Sequence, residues 1–197
     1  MGLAQSTAMF GGTFDPIHNA HLDIARAAAD RFDLTKVLFI PAANPPHKPE
    51  GPAASYDDRV CMLQLACAAD TRFEVSRIEE GSSRSYSILT IEKLKTSRIG
   101  PLYFLIGADA FAEIRSWYRW QDVVALVEFI VVTRPVAGHE MPQPPPGVVV
   151  HELTGVLLPE SSTEIREELQ RGVSGVPVPA PVLRYIRDHG LYSAAAG

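Results

Sequence analysis

The chain has 197 residues, enough for one domain with a sizeable core, and its 46% hydrophobic and 21% charged residues are ordinary globular proportions. A formal net charge of −5 argues against general nucleic-acid binding, which needs a basic face. No apolar run approaches the roughly 20 residues that span a bilayer. The start, Met1-Gly2-Leu3-Ala4-Gln5-Ser6, lacks the charged region and apolar block of a secretory signal, so the cytoplasm is the expected compartment. Cys61 and Cys67 read as buried thiols, because neither a disulfide nor a zinc site finds its spacing or partners.

In chain order, residues 7–10 predict a first strand and 18–32 a helix, followed by a strand at 36–41. Asn44-Pro45-Pro46-His47-Lys48-Pro49 is too proline-rich for regular structure. Residues 55–69 predict a helix capped by Ser55, with Asp57 and Asp58 in its first turn. A strand at 73–78 and a helix at 87–95 come next. Leu102-Tyr103-Phe104-Leu105-Ile106 and Phe129-Ile130-Val131-Val132-Thr133 are nearly continuous apolar runs, as strands covered on both faces should be. A strand at 148–151 and helices at 162–171 and 181–189 close the chain, with 141–147 a surface loop. No repeat or linker interrupts residues 6–193, which predict a single domain flanked by flexible tails at 1–5 and 194–197. Strands alternating with helices give an α/β fold, a mostly parallel Rossmann-like sheet with helices on both faces. Ligands of such sheets bind beyond the carboxyl ends of the strands.

The segment Gly11-Gly12-Thr13-Phe14-Asp15-Pro16-Ile17-His18-Asn19-Ala20-His21 falls at such an end. Its glycines let the backbone approach a bulky anion. The helix start that follows offers unpaired N–H groups and a positive dipole end. His18 and His21, three apart, project from one face, and together these parts suit a polyphosphate. A zinc site is the alternative for the pair, but no acidic or cysteine ligand nearby completes it. A Gly-x-Gly-x-x-Gly turn is absent, which argues against a dinucleotide dehydrogenase. Further along, Ser161-x-x-Glu164 is a capping box, while Ser162, Thr163 and Arg166 at the same helix start have the composition of a second phosphate cradle. Asp109 suits either the cap of the next helix or a contact to ribose hydroxyls. Of Trp117, Tyr118 and Trp120, core packing is expected to take at least one, Trp120 first.

The motif at residues 11–21 resembles the opening signature of the HxGH nucleotidyltransferases. More narrowly, the chain is similar to the nicotinate-nucleotide adenylyltransferase family. Asn44-Pro45-Pro46-His47-Lys48, Ser85-Tyr86-Ser87, Ile106-Gly107-Ala108-Asp109, Trp117-Tyr118, Ser161-Ser162-Thr163-Glu164-Ile165-Arg166 and Tyr185-Ile186-Arg187-Asp188-His189-Gly190-Leu191-Tyr192 all stand in family order. Two positions depart: Ala20 replaces the signature glycine, putting a methyl at the helix start, and Ser87 replaces threonine while keeping the hydroxyl.

The resemblance implies transfer of the adenylyl group of ATP to nicotinate mononucleotide, giving nicotinate adenine dinucleotide and pyrophosphate by direct attack on the α-phosphorus. It implies His18, His21 and Arg166 as catalytic residues. Gly11, Gly12, Thr13, Phe14, Lys48, Asp109, Arg134, Ser162 and Thr163 would bind ATP. Tyr86, Ser87, Trp117 and Tyr118 would bind nicotinate mononucleotide, with Trp117 against the pyridine ring. Magnesium would travel with ATP rather than sit in a protein cage. The rival readings are another adenylyltransferase of this fold, such as one acting on phosphopantetheine, and a non-catalytic adenine-nucleotide sensor. The Trp117-Tyr118 pair and the 161–166 block oppose the first, and the histidine pair opposes the second.

Overall fold

A computed structural model describes residues 6–45, 50–96, 100–133, 141–156 and 161–193. Six parallel strands form one sheet in the order β3-β2-β1-β4-β5-β6. They are β1 (Thr7–Gly12), β2 (Lys36–Pro41), β3 (Phe73–Val75), β4 (Leu102–Gly107), β5 (Glu128–Val132) and β6 (Val150–Leu153). The helices are α1 (Asn19–Arg31), α2 (Tyr56–Cys67), α3 (Ser87–Thr96), α4 (Ala108–Ala112), α5 (Trp120–Leu126), α6 (Ser162–Gln170) and α7 (Ala180–Asp188). A 3-10 turn at Ile114–Ser116 links α4 to the segment before α5.

Both faces of the sheet are buried, and the period-two alternation of strand side chains divides the core in two. Ala8, Phe10, Val37 and Phe39 pack with Leu22, Ala25, Met62, Leu63, Ile165, Val182 and Ile186, placing α1, α2, α6 and α7 on one face. Met9, Leu38, Phe104 and Phe129 pack with Ile88, Ile91, Phe111 and Val123, placing α3, α4 and α5 on the other. This is the predicted Rossmann-like arrangement. Strand order reverses between β1 and β4, and the crevice at that reversal is where such sheets take ligands.

Several elements depart from the sequence expectation. The third strand stops at Val75 instead of residue 78, because Arg77 turns outward to Asp57 and Glu80 while Glu79 turns inward. The sixth begins at Val150 and reaches Leu153. Helix α5 lies where only an aromatic patch was read, and its seven residues are too few to display a helical period. The tails at 1–5 and 194–197 lie outside the described residues. Among the described residues no helix is long and apolar enough to cross a membrane.

Candidate active site

The glycine turn and the first helix build the centre of the crevice. Gly11 and Gly12 end β1, and Phe14 takes a left-handed backbone, φ 49°, that non-glycine residues rarely hold. Its ring is 2% exposed and stands against His21 at 5.1 Å and Phe10 at 5.6 Å. A Cβ on Gly12 would meet that ring at 3.0–3.2 Å, whereas a Cβ on Gly11 would enter open space. So the two glycines serve different ends: Gly11 leaves room over the strand end, and Gly12 makes room for Phe14. Phe14, expected among the ATP-binding residues, has its ring in the core, where it backs His21.

His18 is not in the first helical turn but is the N-cap of α1, with φ −141° and ψ 173°. Its backbone N–H donates to Nδ1 of His21 at 3.3 Å, and the two rings lie 3.7 Å apart. A neutral imidazole whose Nδ1 accepts carries its proton on Nε2, so His21 is left with that N–H to donate. The side chain of His18 is buried, and its Nδ1 has no hydrogen-bond partner. Burial lowers the His18 pKa to about 4; burial and the neighbouring His18 also hold His21 well below its ordinary value. Both rings are therefore neutral donors at physiological pH. Ala20, the departure from the signature, is buried, so its methyl is covered by protein instead of facing a ligand.

The start of α6 is joined to this turn. Ser161 caps α6, accepting from the Glu164 amide at 3.2 Å, and Glu164 returns the contact to the Ser161 amide, as the capping box predicts. Ser162 donates to the Pro16 carbonyl at 3.0 Å, and Arg166 Nη1 donates to the Asp15 carbonyl at 2.7 Å. Arg166 Nη2 reaches Thr163 Oγ1 at 3.3 Å. Ser162 and Arg166 lie 146 and 151 positions from Pro16 and Asp15, yet the fold bonds them to the turn that leads to His18.

An adjoining cavity of about 250 Å3 is lined by Gly12, Thr13, Ala42, Pro45, Ser85, Tyr86, Ser87, Ser116, Trp117 and Tyr118. A second hollow of about 190 Å3 shares Gly12, Ala42, Ser85, Ser87 and Trp117 and adds Gly11, Ile106 and Glu79. All four residues expected to hold the acceptor nucleotide thus face one cavity. Tyr86 and Tyr118 meet at 4.7 Å with their rings tilted by 33°, and Trp117 leans on Phe104 at 5.8 Å. Here the core expectation is corrected: Trp117 packs against the second core cluster, while Trp120 belongs to neither cluster and lies under the Arg115 guanidinium at 5.9 Å. Asp109 is exposed in the first turn of α4, whose cap is Gly107, so the capping alternative for Asp109 fails. Lys48 and Arg134 lie outside the described residues.

Several supporting residues escaped the sequence reading. Arg59, 1% exposed, donates from Nη1 to the carbonyls of Thr13 and Ala42, each at 2.8 Å, and so ties the ends of β1 and β2 together. Its signal was available: Arg59 lies three and four residues before Met62 and Leu63, on the apolar stripe of α2. Glu79, also buried, accepts from Thr90 Oγ1 at 2.6 Å and from the Ala43 amide at 3.4 Å, bracing the cavity wall. Asp15 is 1% exposed, with both carboxylate oxygens engaged by backbone amides. Among the described residues, no group of three His, Cys, Asp or Glu side chains converges as a metal cage.

Comparison with known proteins gives the chain a family. The cytidylyltransferase-like family matches residues 9–168. A probable nicotinate-nucleotide adenylyltransferase of Solibacter usitatus is 56% identical over 191 residues, covering 94% of this chain and 98% of that protein. One from Neisseria meningitidis is 38% identical, covering 93% and 96%. Among solved structures, the Plasmodium falciparum nicotinic acid mononucleotide adenylyltransferase complexed with NaAD has a TM-score of 0.77 at 17% identity, covering 95% of this chain and 97% of that one. At that identity the structural likeness speaks for the fold alone. With the fold, the paired imidazoles and these relatives in agreement, the chain belongs to the cytidylyltransferase-like nucleotidyltransferases and, within them, to the nicotinate-nucleotide adenylyltransferase family.

Proposed function

We propose that the protein transfers the adenylyl group of ATP to nicotinate mononucleotide, releasing pyrophosphate. An oxygen of the acceptor phosphate attacks the α-phosphorus, and the bond from that phosphorus to the oxygen bridging to the β-phosphorus breaks. The observation that carries this reading is the meeting of two neutral, buried-side imidazoles with the Arg166 helix start at one glycine turn, beside an aromatic cavity. His18 and His21 donate N–H groups to oxygens that gain charge in the transition state, and Arg166 and Thr163 receive the departing pyrophosphate. No covalent intermediate is needed, since positioning and charge neutralisation account for the catalysis.

Magnesium would arrive on the ATP phosphates, as part of the substrate, and would supply charge neutralisation there. The donor set fits this: the turn offers imidazoles, amides and a guanidinium, and Asp15 has both oxygens already engaged. Asp109 is assigned the ribose hydroxyls, and Trp117 is assigned to stack against the pyridine ring. Amides at the start of α3 suit a ring carboxylate, because a helix N-terminus rewards full negative charge. Free thiols at Cys61 and Cys67 support a cytoplasmic setting.

The test is pyrophosphate release with ATP, magnesium and one acceptor at a time: nicotinate mononucleotide, nicotinamide mononucleotide or phosphopantetheine. We expect the nicotinate compound to exceed the nicotinamide compound in kcat/KM by at least about tenfold, the discrimination a buried charge contact supplies. Equal efficiency would remove the α3 assignment, and release only with phosphopantetheine would overturn the reaction.

A further inference from the structure

The block Tyr185–Tyr192 stands in family order, yet the proposed reaction gives it no task. Helix α7 ends at Asp188, and the chain reverses through Gly190, at φ 61°, where the Leu191 amide donates back to the Ile186 carbonyl at 2.9 Å. Tyr192 follows with φ 58°, a left-handed backbone that an ordinary side chain holds only where its surroundings over-determine it. What determines it lies at the other end of the chain. The Tyr192 hydroxyl donates to Asp15 Oδ1 at 2.7 Å, and both residues are buried. The phenol stays protonated, since burial and the Asp15 charge both push its pKa upward.

Asp15 is a junction. Its Oδ1 also accepts from the Ala54 amide at 3.0 Å and its Oδ2 from the Ala53 amide at 2.7 Å, which fixes the segment leading into α2. Its own carbonyl holds Arg166 at 2.7 Å, and Arg166 Nη1 also lies 4.0 Å from Oδ2. The next residue, Pro16, presents the carbonyl that holds Ser162. Moving the Asp15 carboxylate therefore moves the peptide on which Arg166 and Ser162 rest, directly before His18.

We propose that Tyr192 is a positioning residue of the phosphate site, acting through Asp15 on Arg166 and the start of α6. The inference rests on the adenylyl-transfer reading for the identity of the anion. It adds that the carboxyl-terminal turn is part of the machinery rather than a packing element. Tyr192→Phe removes one hydroxyl and keeps the ring, and Asp15→Asn keeps the shape of the acceptor while removing its charge.

The experiment is equilibrium titration of the full chain and these variants with pyrophosphate, a non-hydrolysable ATP analogue and adenosine. Tyr192→Phe is expected to weaken pyrophosphate and the analogue about tenfold, the scale of a small misplacement, and to leave adenosine unchanged. Asp15→Asn should reproduce that pattern. In an Arg166→Ala background, Tyr192→Phe should add nothing further, because non-additivity marks a shared path. Wild-type affinity in Tyr192→Phe, equal loss of adenosine, or an undiminished effect without Arg166 would each overturn the inference. These titrations use no acceptor, so failure of the acceptor assay counts against the reaction, while failure here counts against Tyr192 alone.

Discussion

At the scale of single residues, the turn is governed by contacts that residue type alone does not disclose. Gly12 looks like a second opening for an anion, yet a Cβ there would meet, at 3.0–3.2 Å, the Phe14 ring that braces His21. Gly12→Ala is therefore expected to destabilise the fold by about 1–3 kcal/mol, the usual cost of overpacking, and to lower turnover through the displaced ring. Gly11→Ala, whose Cβ meets nothing, should melt like the wild type and show only a raised KM for ATP. Thermal denaturation beside steady-state kinetics separates the two; equal melting temperatures would refute the distinct role of Gly12. The histidines, Arg166 and the cavity aromatics were legible because their side chains carry the chemistry. The bonding of Asp15, Arg59, Glu79 and Tyr192 was not, because their partners lie far away in sequence.

At the scale of elements, caps and helix starts hold the candidate site residues. The α6 cap was legible because Ser161-x-x-Glu164 is a local signal complete within one turn. The start of α1 was read one residue early, since a histidine N-cap bonded to a histidine at N3 has no common sequence signature. That arrangement has a pH consequence. In the unfolded chain imidazoles gain protons near pH 6.5, while in the folded chain His18 does so only at about 4 and His21 well below 6.5. Between those limits the unfolded state binds more protons, so stability rises with pH and falls as pH drops from 6.5 toward 4. His18→Gln should flatten that acid limb by about 3 kcal/mol in denaturant titrations of the ligand-free protein. An unchanged slope would show that His18 is not held neutral by the fold.

At the scale of the molecule, the parallel sheet with both faces covered was legible because continuous apolar strands alternate with helices. The region 108–126 was not, because its helices are short and its aromatics divide between core and cavity against expectation. What the topology achieves is convergence. The strand reversal between β1 and β4 opens a crevice, and α6 crosses from the far end of the chain to set Arg166 against the β1–α1 turn. The proposed reaction requires that turn to act upon the transferring phosphate. The measurement is steady-state kinetics of His18→Ala with ATP and nicotinate mononucleotide. We predict kcat lower by about 10²–10³ with KM little changed, the mark of a donor used in the transition state. A variant turning over at the wild-type rate would contradict it.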